Sequence, residues 1–352
     1  ALLQRRHIAF GKRYRDTFDA EQPATTLGEL QFGLEKKRNL RYYTDQHLRK
    51  SFMKLLKRKK RLIRESKRSE KFANRQKNKT WLETHLWHAK RMHMQDVWGY
   101  RLAIRPTEKS YRPSHRAAVH GSTLHDASYI GTIELTGQMP ALTSVLKCCC
   151  DPYGPGPWAA RYTSGARICS THIYEVGLWP KGLIAPVTVL WRPTTSIPDC
   201  KSAELSDTEI RTLWIRTHPA SLQSVIKSLN SASEQTSNTQ QLEIADLSGD
   251  INAFELVGPR ASQVVHGAFR LANNGREVGK FWEILGNARS SGSFSPGMVI
   301  GLTVHDPRLH FPPTNAKIGA GPDIGSEFLA PSHILAQSKL WEQDVRDKLR
   351  TP

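Results

Sequence analysis

Between residues 81 and 116, planar rings and fixed positive charges alternate along the chain. The rings are Trp81, His85, Trp87, His88, Tyr111 and His115, and the cations are Lys90, Arg91, Arg101, Arg105, Lys109, Arg112 and Arg116. A cationic side chain meets phosphate oxygens, and the arginine fork does so with a two-pronged geometry that lysine lacks. A ring offers a face to an unpaired base, each stack being worth about 1–3 kcal/mol. Together these residue types suit RNA, whose sequence-specific recognition falls on single-stranded loops and ends. The rings have a plainer use as well, because Trp81 and Trp87 also suit the anchoring of a helix on a core. His85, His88 and His93 raise two further chemistries, metal binding and acid–base catalysis. There is no HExxH, no cysteine or carboxylate completes a zinc set at conventional spacing, and nothing places a second catalytic group opposite these histidines. The expectation is therefore no metal and no catalytic residue.

Upstream the cations become denser. Between residues 36 and 77 there are 18 basic and 3 acidic side chains, among them Lys54, Lys57, Arg58, Lys60, Arg61, Arg64, Lys67 and Arg68. Of the 51 Lys and Arg residues, 31 lie in the first 116 residues against 11 acids, a net +20, while the rest of the chain holds 20 basic and 21 acidic residues. A block of this size calls for a polyanion to offset its self-repulsion, and nucleic acid is the first candidate. A solvated helix face is the ordinary explanation of a charge run, but here the acids that would make compensating pairs are almost absent.

At 352 residues the chain can bury a substantial core. It has no apolar window of the roughly 18 residues that cross a bilayer, and the basic segment lacks the broad apolar face of a membrane-surface helix. Residues 1–15 show no apolar segment of the kind a secretory signal carries. The five cysteines (Cys148, Cys149, Cys150, Cys169 and Cys200) form no CxxC pair, so reduced thiols in a cytosolic or nuclear setting are expected.

The elements that must position these residues follow from hydrophobic period and punctuation. Residues 1–43 form an irregular basic arm. A helix of about 50 Å is expected over 44–78 behind Thr44 as N-cap. A second helix is expected over 81–94, ended by Gly99, and a loop over 101–120, where Pro106 and Pro113 interrupt. Strands are expected at 131–136, 168–176 and 187–191, with a Pro/Gly-rich loop at 151–158. Then come strand 212–217, helix 220–230, a polar linker at 231–240, strands 242–247 and 253–257, helix 261–272, and strands 281–285 and 298–304. That order is β-α-β-β-α-β, the ferredoxin-like split unit. An amphipathic helix over 332–349 closes the chain. The fold class is α+β. The domains are a basic RNA-binding arm (1–80), a core (81–330) with an RNA-contacting block at 81–120 and the ferredoxin-like part at 211–310, and a C-terminal helix (331–352).

Three runs resemble one family specifically: Trp81-Leu-Glu-Thr-His-Leu-Trp-His-Ala-Lys-Arg91, Trp98-Gly-Tyr-Arg101 and Pro106-Thr-Glu-Lys-Ser-Tyr-Arg112. The family is the largest protein subunit of eukaryotic ribonuclease P and its relative RNase MRP. Leu190-Trp-Arg-Pro193, Leu213-Trp214, His218-Pro219 and Asp306-Pro307-Arg308 agree as well, so the resemblance covers most of residues 38–310. The family's Arg-rich segment with a Ser-His-Asn core finds no match in this chain, nor does its C-terminal domain. The resemblance implies a non-catalytic scaffold around a catalytic RNA that removes the 5′ leader from precursor tRNA or, in the MRP relative, processes rRNA. It implies other protein subunits as partners, no cofactor, and a place in the nucleus and nucleolus. It also implies a core related to the glycine-cleavage T-protein, with which the run Leu256-Val-Gly-Pro-Arg260 is compatible. The alternative reading is a folate-dependent aminomethyltransferase-like enzyme, but a fold does not carry a function, and such an enzyme has no evident use for the basic segment.

Overall fold

Apolar residues at 82, 86 and 89 recur at helical spacing, and all three are buried. The computed structural model describes residues 54–58, 69–75, 77, 80–194, 210–236, 242–272, 275–288, 294–309 and 330–350. The expected arm at 1–43 and most of the expected helix at 44–78 lie outside the described residues, although 54–58 and 69–75 are helical. The chain forms two compact units, residues 1–90 with 101–103, and residues 91–100 with 104–352.

Helix α1 (Glu83–His88) continues as a 3-10 turn over Ala89–Arg91 and goes no further. Helix was expected to residue 94, but from Met92 the chain extends as β1 (Met92–Val97). There Met92 and Met94 are half-buried while His93 and Gln95 are exposed, the period-two pattern of a strand. Gly99 does not end a helix. It completes the two-residue turn Trp98-Gly99 into β2 (Tyr100–Pro106), and β1 and β2 form a separate ribbon. The expected loop at 101–120 is β2 followed by α2 (Glu108–His120). Pro113 lies inside this helix and cannot donate to the carbonyl of Lys109, and the Arg91 guanidinium takes that acceptor at 3.2 Å. An arginine from outside the helix thus takes the carbonyl that its proline leaves free.

After α2 come β3 (Thr123–Asp126), β4 (Gly131–Gln138), α3 (Met139–Cys149), a single turn α4 (Ala160–Thr163), β5 (Cys169–Tyr174), β6 (Leu183–Trp191) and β7 (Ile210–Thr217). Helix α5 (Leu222–Thr236), β8 (Glu243–Asp246) and β9 (Phe254–Val257) follow. The main sheet is antiparallel with order β5-β6-β7-β4-β8. Strands β4, β6, β7 and β8 with helices α3 and α5 make a β-α-β-β-α-β unit of sheet order β8-β4-β7-β6, to which β5 adds an edge. The ferredoxin-like unit thus exists, but over residues 131–246 rather than 211–310. The expected pair 242–247 and 253–257 is no hairpin, since β8 joins β4 whereas β9 pairs with β3 in a ribbon of its own.

One face of the main sheet carries Ile133, Leu135, Val187, Val189, Trp191, Leu213 and Ile215, which pack with Leu142, Val145 and Leu146 of α3 and Val225, Leu229 and Ala232 of α5. Cys149, Cys150 and Cys169 belong to the same core as free thiols. Burial pushes the Cys149 thiol up to about 11 and the Cys150 thiol up to about 12, with neighbouring thiols adding to each shift. They are inert packing groups.

The other face carries Glu134 of β4 opposite Trp214 of β7. Trp214 donates its indole N–H to Glu134 at 2.8 Å, and Arg346 donates to both carboxylate oxygens at 3.3 Å. Trp341 stacks on Trp214 with centroids 3.8 Å apart, so the C-terminal segment closes this face of the sheet. That segment is not the single helix expected over 332–349. It is α8 (His333–Ala336), a 3-10 turn (Lys339–Trp341) and α9 (Gln343–Arg350), with Ser332 and Ser338 each capping a new start. Between β9 and α8 lie α6 (Ala261–Ala268) and α7 (Arg276–Asn287). The expected strand at 281–285 is part of α7, where Val278, Phe281 and Leu285 recur at helical spacing and are buried in a second small core. The expected strand at 298–304 makes only isolated bridges, from Met298 to Arg167 and from Val304 to Leu271.

Candidate nucleic-acid interface

Helix α2 shows how the sequence separates its faces. Ser110 is buried and Ser114 and Ala117 are half-buried, which fixes one inward stripe. Lys109, Arg112, Arg116 and His120 follow one another at spacings of three and four and are all exposed, forming a cationic stripe. Tyr111 and His115, four apart and exposed, run alongside it, with Tyr111 at 51% exposure. The helix therefore presents a row of exposed cations beside two exposed rings. Arg105 and Arg91 are exposed in the same unit. The Arg91 side chain holds the Lys109 carbonyl, and its own carbonyl accepts from the Thr107 N–H at 2.9 Å. Arg91 thereby positions α2, in addition to carrying charge.

The other unit holds the remaining described candidates. Lys54, Lys57, Arg58 and Lys90 are exposed, and His85 and Arg101 are half-buried. Trp81 is committed to packing, because the Arg75 guanidinium lies 4.4 Å from its ring centroid and donates to the Leu86 carbonyl at 2.8 Å. Burial lowers the Arg75 pKa, but the group keeps its charge. The anchoring use of Trp81 is the one realised. Lys60, Arg61, Arg64, Lys67 and Arg68, and the side chains of Trp87 and His88, lie outside the described residues.

A second aromatic group was absent from the expected site. Trp98 sits in the turn between β1 and β2 with φ of 54°, followed by Gly99 at 84°. Two-residue hairpin turns with both central residues at positive φ favour Asn-Gly or Asp-Gly. A left-handed L-residue costs about 1–2 kcal/mol. The Trp98 ring meets His218 edge-on at 4.1 Å between centroids and lies 6.1 Å from Tyr129 at 24°. His125 meets Tyr129 edge-on, with its Nε2 3.2 Å from the phenol oxygen. His218 is fixed in turn. Its Nδ1 accepts from the Ala220 N–H at 3.2 Å and its carbonyl from the Ser221 N–H at 3.0 Å, which places the proton of the neutral ring on Nε2. Burial, then the charge of Glu255, raises the Tyr129 pKa and keeps the phenol neutral. Burial lowers the Arg216 pKa while Glu255 opposes the shift. The available signal was in the motifs, since Trp98-Gly and His218-Pro both belong to the runs that carried the family resemblance.

Among the described residues no three His, Cys, Asp or Glu side chains gather as a metal site, and no helix is long and apolar enough to cross a membrane. A cavity of about 960 Å³ opens at the end of the sheet, and among the described residues its lining includes Gln138, Asn230, Ser233, Glu234 and Glu243 and no Lys or Arg. Its carboxylates disfavour an anionic ligand.

Residues 7–138 match the family described as Ribonucleases P/MRP protein subunit POP1, N-terminal. Over that segment the chain is similar to the POP1 family. The human Ribonucleases P/MRP protein subunit POP1 is 25% identical over 365 residues, covering 75% of this chain and 35% of that protein. The Schizosaccharomyces pombe subunit is 30% identical over 222 residues, covering 63% and 30% respectively. The Saccharomyces cerevisiae subunit is 44% identical over a shorter run of 68 residues. The chain thus spans about a third of the length of the first of these relatives and less of the others. Among solved structures, the glycine cleavage system aminomethyltransferase T from Bartonella henselae is 14% identical, with a TM-score of 0.39 over 53% of this chain and 43% of that one.

Proposed function

We propose that this chain is a non-catalytic, RNA-binding scaffold subunit of ribonuclease P, of RNase MRP, or of both. In that role it supports 5′-leader removal from precursor tRNA and rRNA processing in the nucleus and nucleolus, beside the catalytic RNA and the other protein subunits. The observation that carries the reading is α2, where Lys109, Arg112 and Arg116 form an exposed stripe flanked by exposed Tyr111 and His115. Cations set the register on a phosphate backbone, and rings beside them take bases that are out of the helix. The family supplies the particle in which such a surface is used, because its relatives are named as protein subunits of ribonucleases P and MRP.

Crosslinking of the tagged protein in cells, followed by sequencing of the attached RNA, tests the reading. Ribonuclease P RNA or MRP RNA should be enriched, and recovery of bulk RNA alone would overturn the assignment. The purified protein should leave precursor tRNA uncut, and cleavage without RNA would place the chemistry in the protein.

A further inference from the structure

The Trp98 turn is built against the local preference of the backbone. A two-residue turn with positive φ at both positions is met with least strain by Asn-Gly, yet the first position holds the bulkiest side chain available. Burial does not explain the choice, because Trp98 remains 47% exposed. Its ring is nevertheless held in place. His218 meets it edge-on at 4.1 Å from a turn that fixes His218 itself, and Tyr129 lies close to parallel at 6.1 Å. Strain retained at an exposed and firmly oriented side chain is characteristic of a ligand site.

We propose that Trp98, with Tyr129 and His218 as its walls, is a stacking site for one unpaired nucleobase of an RNA whose backbone runs along α2. This rests on the RNA-binding reading above and names what one part of that surface recognises. Three observations select a nucleobase as occupant. The platform is aromatic rather than aliphatic, and an indole face accepts any base. The His218 Nε2–H and the Tyr129 hydroxyl put polar groups on the platform, as the edge of a base requires. The cationic helix α2 packs against β3, the strand that carries His125, so phosphate-binding charge adjoins the cluster. Glu255 is the opposing charge nearby, facing His125 across the β3–β9 ribbon, and Arg216 is set against it.

The test measures binding of the full chain to a stem–loop RNA with an unpaired loop and to a fully paired RNA of equal length. Trp98→Asn is the informative variant, since Asn suits the turn and the fold should be retained or stabilised. Trp98→Asn should bind the stem–loop about 5- to 150-fold more weakly, keep the salt dependence, and leave the duplex affinity unchanged. Trp98→Phe should recover much of the loss, and removing the loop bases as abasic sites should abolish the difference between wild type and Trp98→Asn. If the wild type binds both RNAs and Trp98→Asn binds them equally well, the stacking site is refuted while RNA binding stands. If the wild type binds neither RNA, the wider reading fails with it. Loss of a co-purifying protein subunit from Trp98→Asn, with both RNAs still bound as before, would make the cluster a protein contact and overturn the proposal.

Discussion

Replacing Lys109, Arg112 and Arg116 together by Gln separates charge from shape on α2. Glutamine keeps the length and most of the helix propensity of these side chains. All three are exposed, so the core is untouched and thermal unfolding should barely move. If each neutralises one phosphate, the slope of log K against log salt should become shallower by about 2 for single-stranded RNA, and by closer to 3 if duplex behaviour applies. Raising the salt fourfold, from about 50 to 200 mM, then costs the wild type about 20- to 40-fold more affinity than the variant. Fluorescence anisotropy of a labelled stem–loop RNA over that range reads the slope directly. Lys181 and Lys227, exposed elsewhere in the same unit, give the control pair, and their replacement should leave the slope as it was. An unchanged slope in the triple variant, or an equal change in the control, would refute a phosphate-binding stripe on α2.

Three further outcomes follow from the packing. Arg346→Ala leaves Glu134 as a half-satisfied carboxylate under the Trp214 and Trp341 rings and should destabilise the protein by about 3–5 kcal/mol in urea unfolding, whereas a loss below about 1 kcal/mol would mean that solvent reaches the pair. Pro113→Ala restores a helical donor to the Lys109 carbonyl, so Arg91→Ala should cost less stability in that background, with a coupling of about 0.5 kcal/mol, and additive costs would show that Arg91 does not serve this carbonyl. The raised thiols of Cys149 and Cys150 mean that the unfolded chain releases their protons first, so their contribution is complete below about pH 8 and declines from about pH 9 toward 11 and 12, by about 1.4 kcal/mol per pH unit for each thiol. Cys150→Ala should flatten that decline, and an identical pH profile in the variant would exclude the thiol as its source.

Local patterns in the sequence marked several elements of the core and were silent about partners. The alternation at 131–136 and 187–191 and the helical spacing at 220–230 each produced the element they imply. What the pattern did not carry was pairing. Ser248-Gly-Asp250 looks like a hairpin turn, yet β8 completes the main sheet on β4 and β9 crosses to β3. The same limit moved the ferredoxin-like unit to residues 131–246, since α3 went unread. Its run Met139-Pro-Ala-Leu-Thr-Ser-Val-Leu-Lys-Cys-Cys has β-branched residues and modest propensity, and burial of Leu142, Val145, Leu146 and Cys149 makes it a helix. Residues 281–285 are strand-like alone and helical once Val278 is included, and Pro113 reads as a breaker because no local pattern shows that Arg91 takes the carbonyl it frees.

The candidate site divides along the same line. The charge on α2 was legible from composition alone, whereas its three- and four-residue spacing gains meaning only once the expected loop is a helix. The Trp98 cluster was not legible, because its members come from residues 98, 125, 129 and 218, and nothing local marks a ring as part of a group. The main sheet makes the group possible. Trp214 of β7 is locked on the back face by Glu134 and Trp341. Four residues later the same strand runs into the turn whose Thr217–Ser221 and His218–Ala220 hydrogen bonds hold the His218 ring. The rigidity that lets an exposed tryptophan keep one orientation is therefore supplied by the ferredoxin-like core, while the charge that draws a polyanion is supplied by the segments outside it. On the proposed reading, recognition depends on the first being stiff enough to give the second a fixed partner.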